Sequence, residues 1–137
     1  MNNLDFTIFD KFKDIANRLS LIQKEVAEKL KLNWGYLKVL TALANQEGLS
    51  QTKLSFSCGL DKPATSRLII KMTSDNLIKK YYKDNNKKTT CLFLTEAGKK
   101  LAEKISQIKQ KLQKKYFNVL NNKDKETFNL LLTSYLK

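Results

Sequence analysis

Histidine is absent from this 137-residue chain, and cysteine, proline and glycine are scarce. Without histidine the chain can form neither a zinc finger of the Cys/His type nor a Ser-His-Asp catalytic triad. The sequence also has no Gly-rich phosphate-binding loop, no paired-carboxylate motif and no cluster of metal-ligand residues. We therefore expect no catalytic residues, no bound metal and no cofactor, and we expect that the protein is not an enzyme.

The chain has only two cysteines and lacks both a signal-peptide pattern and a long apolar run. A span of the bilayer would need roughly 20 apolar residues, so we expect no membrane partner. Few cysteines and no secretion signal indicate a reducing, cytoplasmic compartment. Cys58 ends a short predicted helix, where a buried small hydrophobe is expected, and Cys91 lies in a predicted strand, where it is expected to be partly exposed.

Positive charge is in excess and is unevenly distributed. The chain has 26 basic and 13 acidic side chains, which gives a net charge of +13. Residues 1–30 sum to zero, whereas residues 61–100 carry +6 and residues 101–137 carry +5. A localised cationic surface favours a polyanionic partner, with DNA or RNA ahead of a membrane. A Lys-rich proteome is an alternative source of the total charge, but it does not explain where the charge lies.

Residues 49–95 contain the pattern around which the chain is organised. Ser50 is suited to cap a short helix that stops at Gly59. Asp61 followed by Pro63 is typical of the start of a second helix. The inward face of that helix is predicted to consist of Thr65, Leu68, Ile69 and Met72. A helix, a glycine-containing turn and a second helix form a helix-turn-helix.

A β-hairpin is predicted directly after the second helix. Residues 77–83 and 89–95 have strand composition, and a polar, basic turn separates them. A helix-turn-helix followed by such a hairpin is a winged helix. The predicted fold class is therefore mainly α with a small β-hairpin wing, flanked by N- and C-terminal helices.

Long helices are predicted on both sides of the winged helix. Residues 4–30 have apolar side chains every three or four positions but no other segment of their own to close around. This helix either packs within its own monomer or provides a dimer surface. Asn33 and Thr95 are predicted to cap the helices that follow them, and a last short helix follows Asn121. The candidate dimerisation residues are Ile8, Phe9, Phe12, Ile15, Leu19, Phe128, Leu131, Leu132 and Tyr135.

The order of motifs in this chain resembles the MarR family of bacterial transcriptional regulators. The motifs are Leu-Ser-Gln, Leu, Gly-Leu-Asp-Lys, Ser-Arg, Leu-Ile, a wing, and finally Leu94-Thr-Glu-Ala-Gly98. The resemblance covers about residues 33–101 by motif, and the whole chain by length and helix order. It implies two dimerisation segments, residues 1–32 and 96–137, around a DNA-binding region at residues 33–95.

The resemblance implies a homodimeric, nucleoid-associated repressor that binds a short inverted repeat in double-stranded DNA. The second helix of the helix-turn-helix would enter the major groove. In the dimer, the two copies of this helix would lie roughly 34 Å apart. In the family, a small aromatic ligand often regulates binding by occupying a pocket between the dimer helices and the DNA-binding region. The alternative is a winged-helix protein-interaction module that does not bind specific DNA.

Candidate DNA contacts follow from the matched positions. The major-groove candidates are Lys62, Pro63, Ala64, Ser66, Arg67 and Lys71. The phosphate contacts at the start of the first helix are Ser50, Gln51 and Thr52, and the wing candidates are Asn85, Asn86, Lys87 and Lys88. Arg67 either reads a guanine edge or clamps a phosphate.

Some positions depart from the family pattern. Relatives have Asp-x-Arg near the wing tip, where this chain has Asn86 and Lys88, so we expect the wing to provide general phosphate attraction. Asn76 replaces a glycine but tolerates a left-handed conformation. Trp34 and Tyr36 either line the ligand pocket or are ordinary packing residues, which is the favoured alternative. Phe56 and Ile70 are apolar where relatives usually carry charge, and either contact DNA or pack on a neighbouring element.

Overall fold

The computed structural model describes residues 3–83 and 89–137. Its elements, in chain order, are α1 (Asn3–Leu30), α2 (Trp34–Asn45), α3 (Gln51–Cys58), α4 (Lys62–Ser74), β1 (Ile78–Tyr82), β2 (Thr90–Leu94), α5 (Glu96–Phe117) and α6 (Asn122–Tyr135). This order confirms the predicted fold class, mainly α with a two-stranded antiparallel hairpin.

The hairpin is attached to the loop that precedes α3. Ile78 pairs with Leu94 and Tyr82 with Thr90, so the two strands are in register along their whole length. The other side of β2 is hydrogen-bonded to that loop: the Leu92 N–H donates to the Leu49 carbonyl at 2.9 Å. Residues 84–88 lie outside the described residues, and so do the wing contacts predicted at Asn85, Asn86, Lys87 and Lys88.

Helix α2 lies at the centre of the hydrophobic core. Its Val39, Leu40 and Leu43 are completely buried. The neighbouring elements contribute Leu54 of α3, Met72 of α4, and Ile78 and Leu92 of the hairpin, all buried. Burial of each such side chain favours folding by about 1.5–3 kcal/mol, so this core fixes α3 and α4 relative to the wing.

The two long helices join this core over only part of their length. Helix α1 is buried only near its C-terminal end, at Ile22, Val26 and Ala27, and it contacts α5, whose Ile105 is also buried. Helix α6 has no buried residue along Asn122–Tyr135. The N-terminal part of α1 and helix α6 therefore leave apolar side chains in solvent.

Left-handed residues end three of the helices. Lys31 and Asn76 have φ values of 52° and 59°, and Gly59 has a φ of 64°. The predicted left-handed conformation of Asn76 is confirmed, and the Leu77 N–H then donates back to the Met72 carbonyl at 2.9 Å. Each sharp turn lets the following segment fold back onto the core.

Candidate nucleic-acid interface

The start of α4 is fixed by an N-cap. The Asp61 carboxylate accepts a hydrogen bond from the Ala64 N–H at 2.7 Å, and the Asp61 carbonyl accepts one from the Thr65 hydroxyl at 2.8 Å. Pro63 lies in the first turn, where its missing N–H removes no helical hydrogen bond. The predicted cap is therefore confirmed, and it sets where the helix begins.

The orientation of α4 is fixed by its buried face. Thr65, Ile69 and Met72 are buried against the core, as predicted, and Leu68, the fourth residue predicted on this face, is half-buried against it. The candidate residues therefore lie on or beside the opposite face: Lys62, Pro63, Arg67 and Lys71 are exposed, and Ala64 and Ser66 are half-buried. A helix whose outward side carries short polar groups and cations suits the major groove of DNA.

The start of α3 is the second part of the candidate interface. The Ser50 hydroxyl accepts a hydrogen bond from the Lys53 N–H at 3.2 Å, and this confirms the predicted N-cap. Ser50 and Gln51 are half-buried and Thr52 is exposed. A helix N-terminus presents free N–H groups and a positive dipole end, both of which attract a phosphate.

The cations of α4 form no ion pair in the part of the chain that the structure describes. The ion pairs found there join Lys29 to Glu25 and Lys99 to Glu96, each at 3.7 Å. Residues 62–74 contain three cations and no acidic residue. The outward face of α4 therefore keeps its positive charge for an external anion.

Tyr36 connects the first turn of α2 to the end of α4. Its hydroxyl donates a hydrogen bond to the Asp75 carboxylate at 2.5 Å. Burial first, and then this hydrogen bond and the negative charge of Asp75, raise the pKa of Tyr36 to about 12. The Lys71 Nζ lies 5.7 Å from the centroid of the same ring, within range of a cation–π contact. One tyrosine thus holds the end of the helix that carries the candidate DNA contacts.

A cavity of about 310 Å³ lies between α1, α2, α3 and α5. Neither Trp34 nor Tyr36, the residues considered for a ligand pocket but favoured as ordinary packing residues, lines it. The physical reason is that Tyr36 turns toward Asp75, and that Trp34 remains 37% exposed, with the Lys38 amine 5.7 Å from its ring centroid. The lining comes instead from Gln23, Val26, Leu37, Lys38, Thr41, Ala42, Asn45, Ser57, Cys58, Ile105 and Lys109.

The chemistry of this cavity suits a small anion with an apolar part. Lys38 and Lys109 supply positive charge, and the lining contains no carboxylate. Burial raises the pKa of the Cys58 thiol, with Lys38 opposing the shift, so this buried cysteine is not a strong nucleophile. The sequence contains a pattern that could have indicated this cavity lining. Lys38, Thr41 and Asn45 are spaced three and four residues apart, so they form a polar stripe on an otherwise apolar helix.

Residues 3–83 and 89–137 contain neither a candidate metal site nor a candidate membrane-spanning helix. No group of three Cys, Asp or Glu side chains there is arranged to hold a metal ion. In the same residues no helix combines the length and apolar character needed to cross a bilayer.

Comparisons with known proteins find similarity to helix-turn-helix transcriptional regulators. The model of the MarR family matches residues 32–90. An uncharacterized HTH-type transcriptional regulator of Bacillus subtilis (strain 168), YybA, is 28% identical over 118 residues, which cover 86% of this chain and 79% of the relative.

Solved structures have the same fold. Wild-type MarR of E. coli in its apo form has a TM-score of 0.77 at 18% identity, with 93% of this chain and 96% of that chain covered. A mutant of S. aureus MepR, solved bound to an oligodeoxyribonucleotide, has a TM-score of 0.62 at 21% identity, with 94% and 95% covered. The family model matches the winged helix, and the curated relative aligns with most of this chain, so this chain is similar to the MarR family of transcriptional regulators.

Proposed function

We propose that this protein is a homodimeric repressor that binds a short inverted repeat in double-stranded DNA. The observation that carries the proposal is α4, where Lys62 at the helix start and Arg67 and Lys71 on the outward face are exposed and form no ion pair in the described chain. Arg67 is the candidate for a guanine edge, and the two lysines suit phosphates. The α3 start, at Ser50, Gln51 and Thr52, suits a backbone phosphate.

A second copy of the chain is the proposed partner of the terminal helices. Large apolar side chains remain exposed along α1 and α6, among them Leu4, Ile8, Phe9, Ile15, Leu19, Phe128, Leu130, Leu131 and Tyr135. Phe12 and Tyr135 pack together with ring centroids 5.3 Å apart, so the two surfaces adjoin. Exposed apolar surface of this extent favours association, and a two-fold dimer buries the same face of both copies. The dimerisation region would then comprise residues 1–32 and 96–137.

This dimer would present two copies of α4 to one side of the duplex, with the DNA-binding region formed by residues 33–95. Adjacent major grooves on one face of B-DNA are roughly 34 Å apart, so each half of an inverted repeat would meet one copy of α4. The S. aureus relative solved with an oligodeoxyribonucleotide supports DNA as the partner. The proposed role is binding without chemistry, so the protein would not be an enzyme.

Selection from a random pool of duplexes tests the proposal. We expect the purified protein to enrich an inverted repeat, and light scattering with size-exclusion chromatography to give a mass of two chains. The competing function, a protein-interaction module, predicts no binding even to random duplex at low salt, where a net charge of +13 should otherwise produce it. A monomer that binds no duplex would overturn the proposed function.

The cavity between α1, α2, α3 and α5 is the proposed site for a small aromatic acid that regulates DNA binding. Its lysines would meet the carboxylate and its apolar residues the ring. A ligand that prefers one arrangement of the two DNA-binding regions would shift the population of dimers. The connection is direct, because α1, α2 and α5 contribute both to the cavity and to the core that holds the winged helix.

Thermal unfolding with salicylate as the probe tests this site. At a hundredfold excess over its dissociation constant, a ligand of the folded state should raise Tm by roughly 10 °C. Lys109→Met should abolish the shift, whereas Lys111→Met, which changes an exposed lysine outside the cavity, should retain it. An equal shift in both variants would place the ligand elsewhere, and no shift would favour a regulator without this ligand.

A further inference from the structure

Ile70 is an exposed apolar side chain on the outward face of α4. It is 69% exposed, although its neighbours Ile69 and Met72 are almost completely buried. At 3.6 residues per turn, position 70 lies about 60° around the helix from Arg67, so the two side chains share one face. Pro63, seven residues earlier, completes an apolar edge along that face.

The surroundings of Ile70 are cationic. Arg67 and Lys71 flank it on the helix surface, and both are exposed. Phosphates attract the charged neighbours of Ile70, but they make no favourable interaction with this apolar side chain. Burial of Ile70 against an apolar group would favour binding if the polyanion that the neighbouring cations attract also carries such a group.

The major groove contains such a group. Each thymine presents a C5-methyl there beside the hydrogen-bonding edges of the bases, and apolar side chains contact it. Ile70 lies about 4.5 Å further along the helix axis than Arg67, and successive base pairs rise about 3.4 Å. An Arg67 that contacts one base pair therefore leaves Ile70 opposite a neighbouring pair.

We propose that Ile70 packs against the C5-methyl group of a thymine and so determines specificity at the base pair beside the one that Arg67 contacts. The proposal rests on the proposed function, that α4 binds in a major groove, and adds to it one base of the recognised sequence. Arg67 and the lysines supply the attraction and the register, and Ile70 supplies an apolar discrimination that no polar group on this face provides. Cytosine, which lacks the methyl group at that position, would be disfavoured.

Replacement of thymine by deoxyuridine in the selected duplex is the direct test, because it deletes only the methyl group. Each thymine is replaced in turn, symmetrically in both half-sites, and binding is measured for the wild-type dimer and for Ile70→Ala. Burial of one methyl-sized group corresponds to about fourfold in affinity, so two half-sites give roughly 15-fold. We expect the replacement of one of these thymines to weaken wild-type binding by this factor. The same replacement should leave the affinity of Ile70→Ala unchanged.

Two variants serve as controls. Ile70→Val keeps a branched apolar group and should retain most of the sensitivity to the methyl group. Ser74→Ala truncates another exposed side chain on the same face and should retain it fully. Circular dichroism should give the same melting temperature for all variants, since neither side chain is part of the buried core.

Different outcomes would contradict the role of Ile70 and the proposed DNA binding. If Ile70→Ala loses affinity but remains as sensitive as the wild type to every methyl deletion, Ile70 does not contact a thymine. If no methyl deletion affects the wild type, the inference is wrong while DNA binding stands. A protein that enriches no duplex in the initial selection would overturn both.

Discussion

Removal of the Asp61 side chain should weaken the fold and the proposed DNA-binding surface together. Asp61 is exposed, so its substitution leaves no cavity, and its structural role is the 2.7 Å hydrogen bond to the Ala64 N–H. In Asp61→Ala both this bond and a negative charge at the helix N-terminus are lost. In Asp61→Asn only the charge is lost, because an amide oxygen is an equally good cap.

The expected magnitudes differ enough to measure. Loss of an N-cap side chain costs about 1 kcal/mol, and loss of an exposed charge at a helix end about 0.3–1 kcal/mol. The free energy of unfolding should therefore fall by about 1.5 kcal/mol in Asp61→Ala and by about 0.5 kcal/mol in Asp61→Asn. The difference between the two variants isolates the cap, since both remove the same charge.

Urea unfolding at neutral pH is a suitable assay, with a constant m-value as the sign that only stability has changed. Both variants should bind random duplex DNA more tightly than the wild type, and by the same factor, because both remove a charge that repels phosphates. Asp61→Ala should additionally lose affinity for the selected repeat, since the first turn of α4 carries Lys62, Pro63 and Ala64. Equal unfolding free energies for Ala and Asn would refute the reasoning that the hydrogen bond fixes this helix start.

Further predictions concern the DNA contacts, a buried phenol and a close backbone approach. Arg67→Ala should cost about 1–3 kcal/mol and relax one position of the selected repeat if Arg67 reads a base, whereas a uniform loss on all duplexes would make it a phosphate contact. Because the folded pKa of Tyr36 is about 12 and its ordinary value is 10.0, its contribution to stability is complete below pH 10 and is lost as pH rises through 12. Tyr36→Phe should cost about 1 kcal/mol at pH 7, by loss of the part-buried hydrogen bond to Asp75, and should flatten that alkaline decline; an unchanged decline in urea titrations from pH 9 to 12 would exclude Tyr36 as its source. Gly98→Ala should destabilise by about 3 kcal/mol or more, because its Cβ would lie against the Leu77 backbone carbonyl; a melting temperature within about 2 °C of the wild type would contradict this.

The local features of the winged helix could be predicted from the sequence. Ser50, Asp61 and Thr95 cap the helices they were expected to cap, and Gly59 and Asn76 are left-handed as expected. Each of these features depends on groups within a few positions along the chain, so the information is contained in a short window. The periodicity of α4 likewise identifies its buried face, and with it the outward face.

The cavity and the attachment of α4 depended on elements far apart in the sequence. Tyr36 and Asp75 are 39 positions apart, and no local pattern pairs them. The cavity takes side chains from four helices, so Lys38 and Lys109 become neighbours only when α2 and α5 pack together. The bond from Leu92 to Leu49, which attaches the wing, is of the same kind.

The sequence by itself determined which residues begin α2, α3, α4 and α5, where α3 and α4 end, and which helix sides are apolar, because capping and periodicity act between near neighbours. Only the tertiary structure decided where those sides point. It turned Tyr36 toward α4 and away from the cavity, and it left Ile70 in solvent beside Arg67 while Ile69 was buried. Contacts between distant segments depend on the relative placement of whole helices, and that placement results from packing of the entire core.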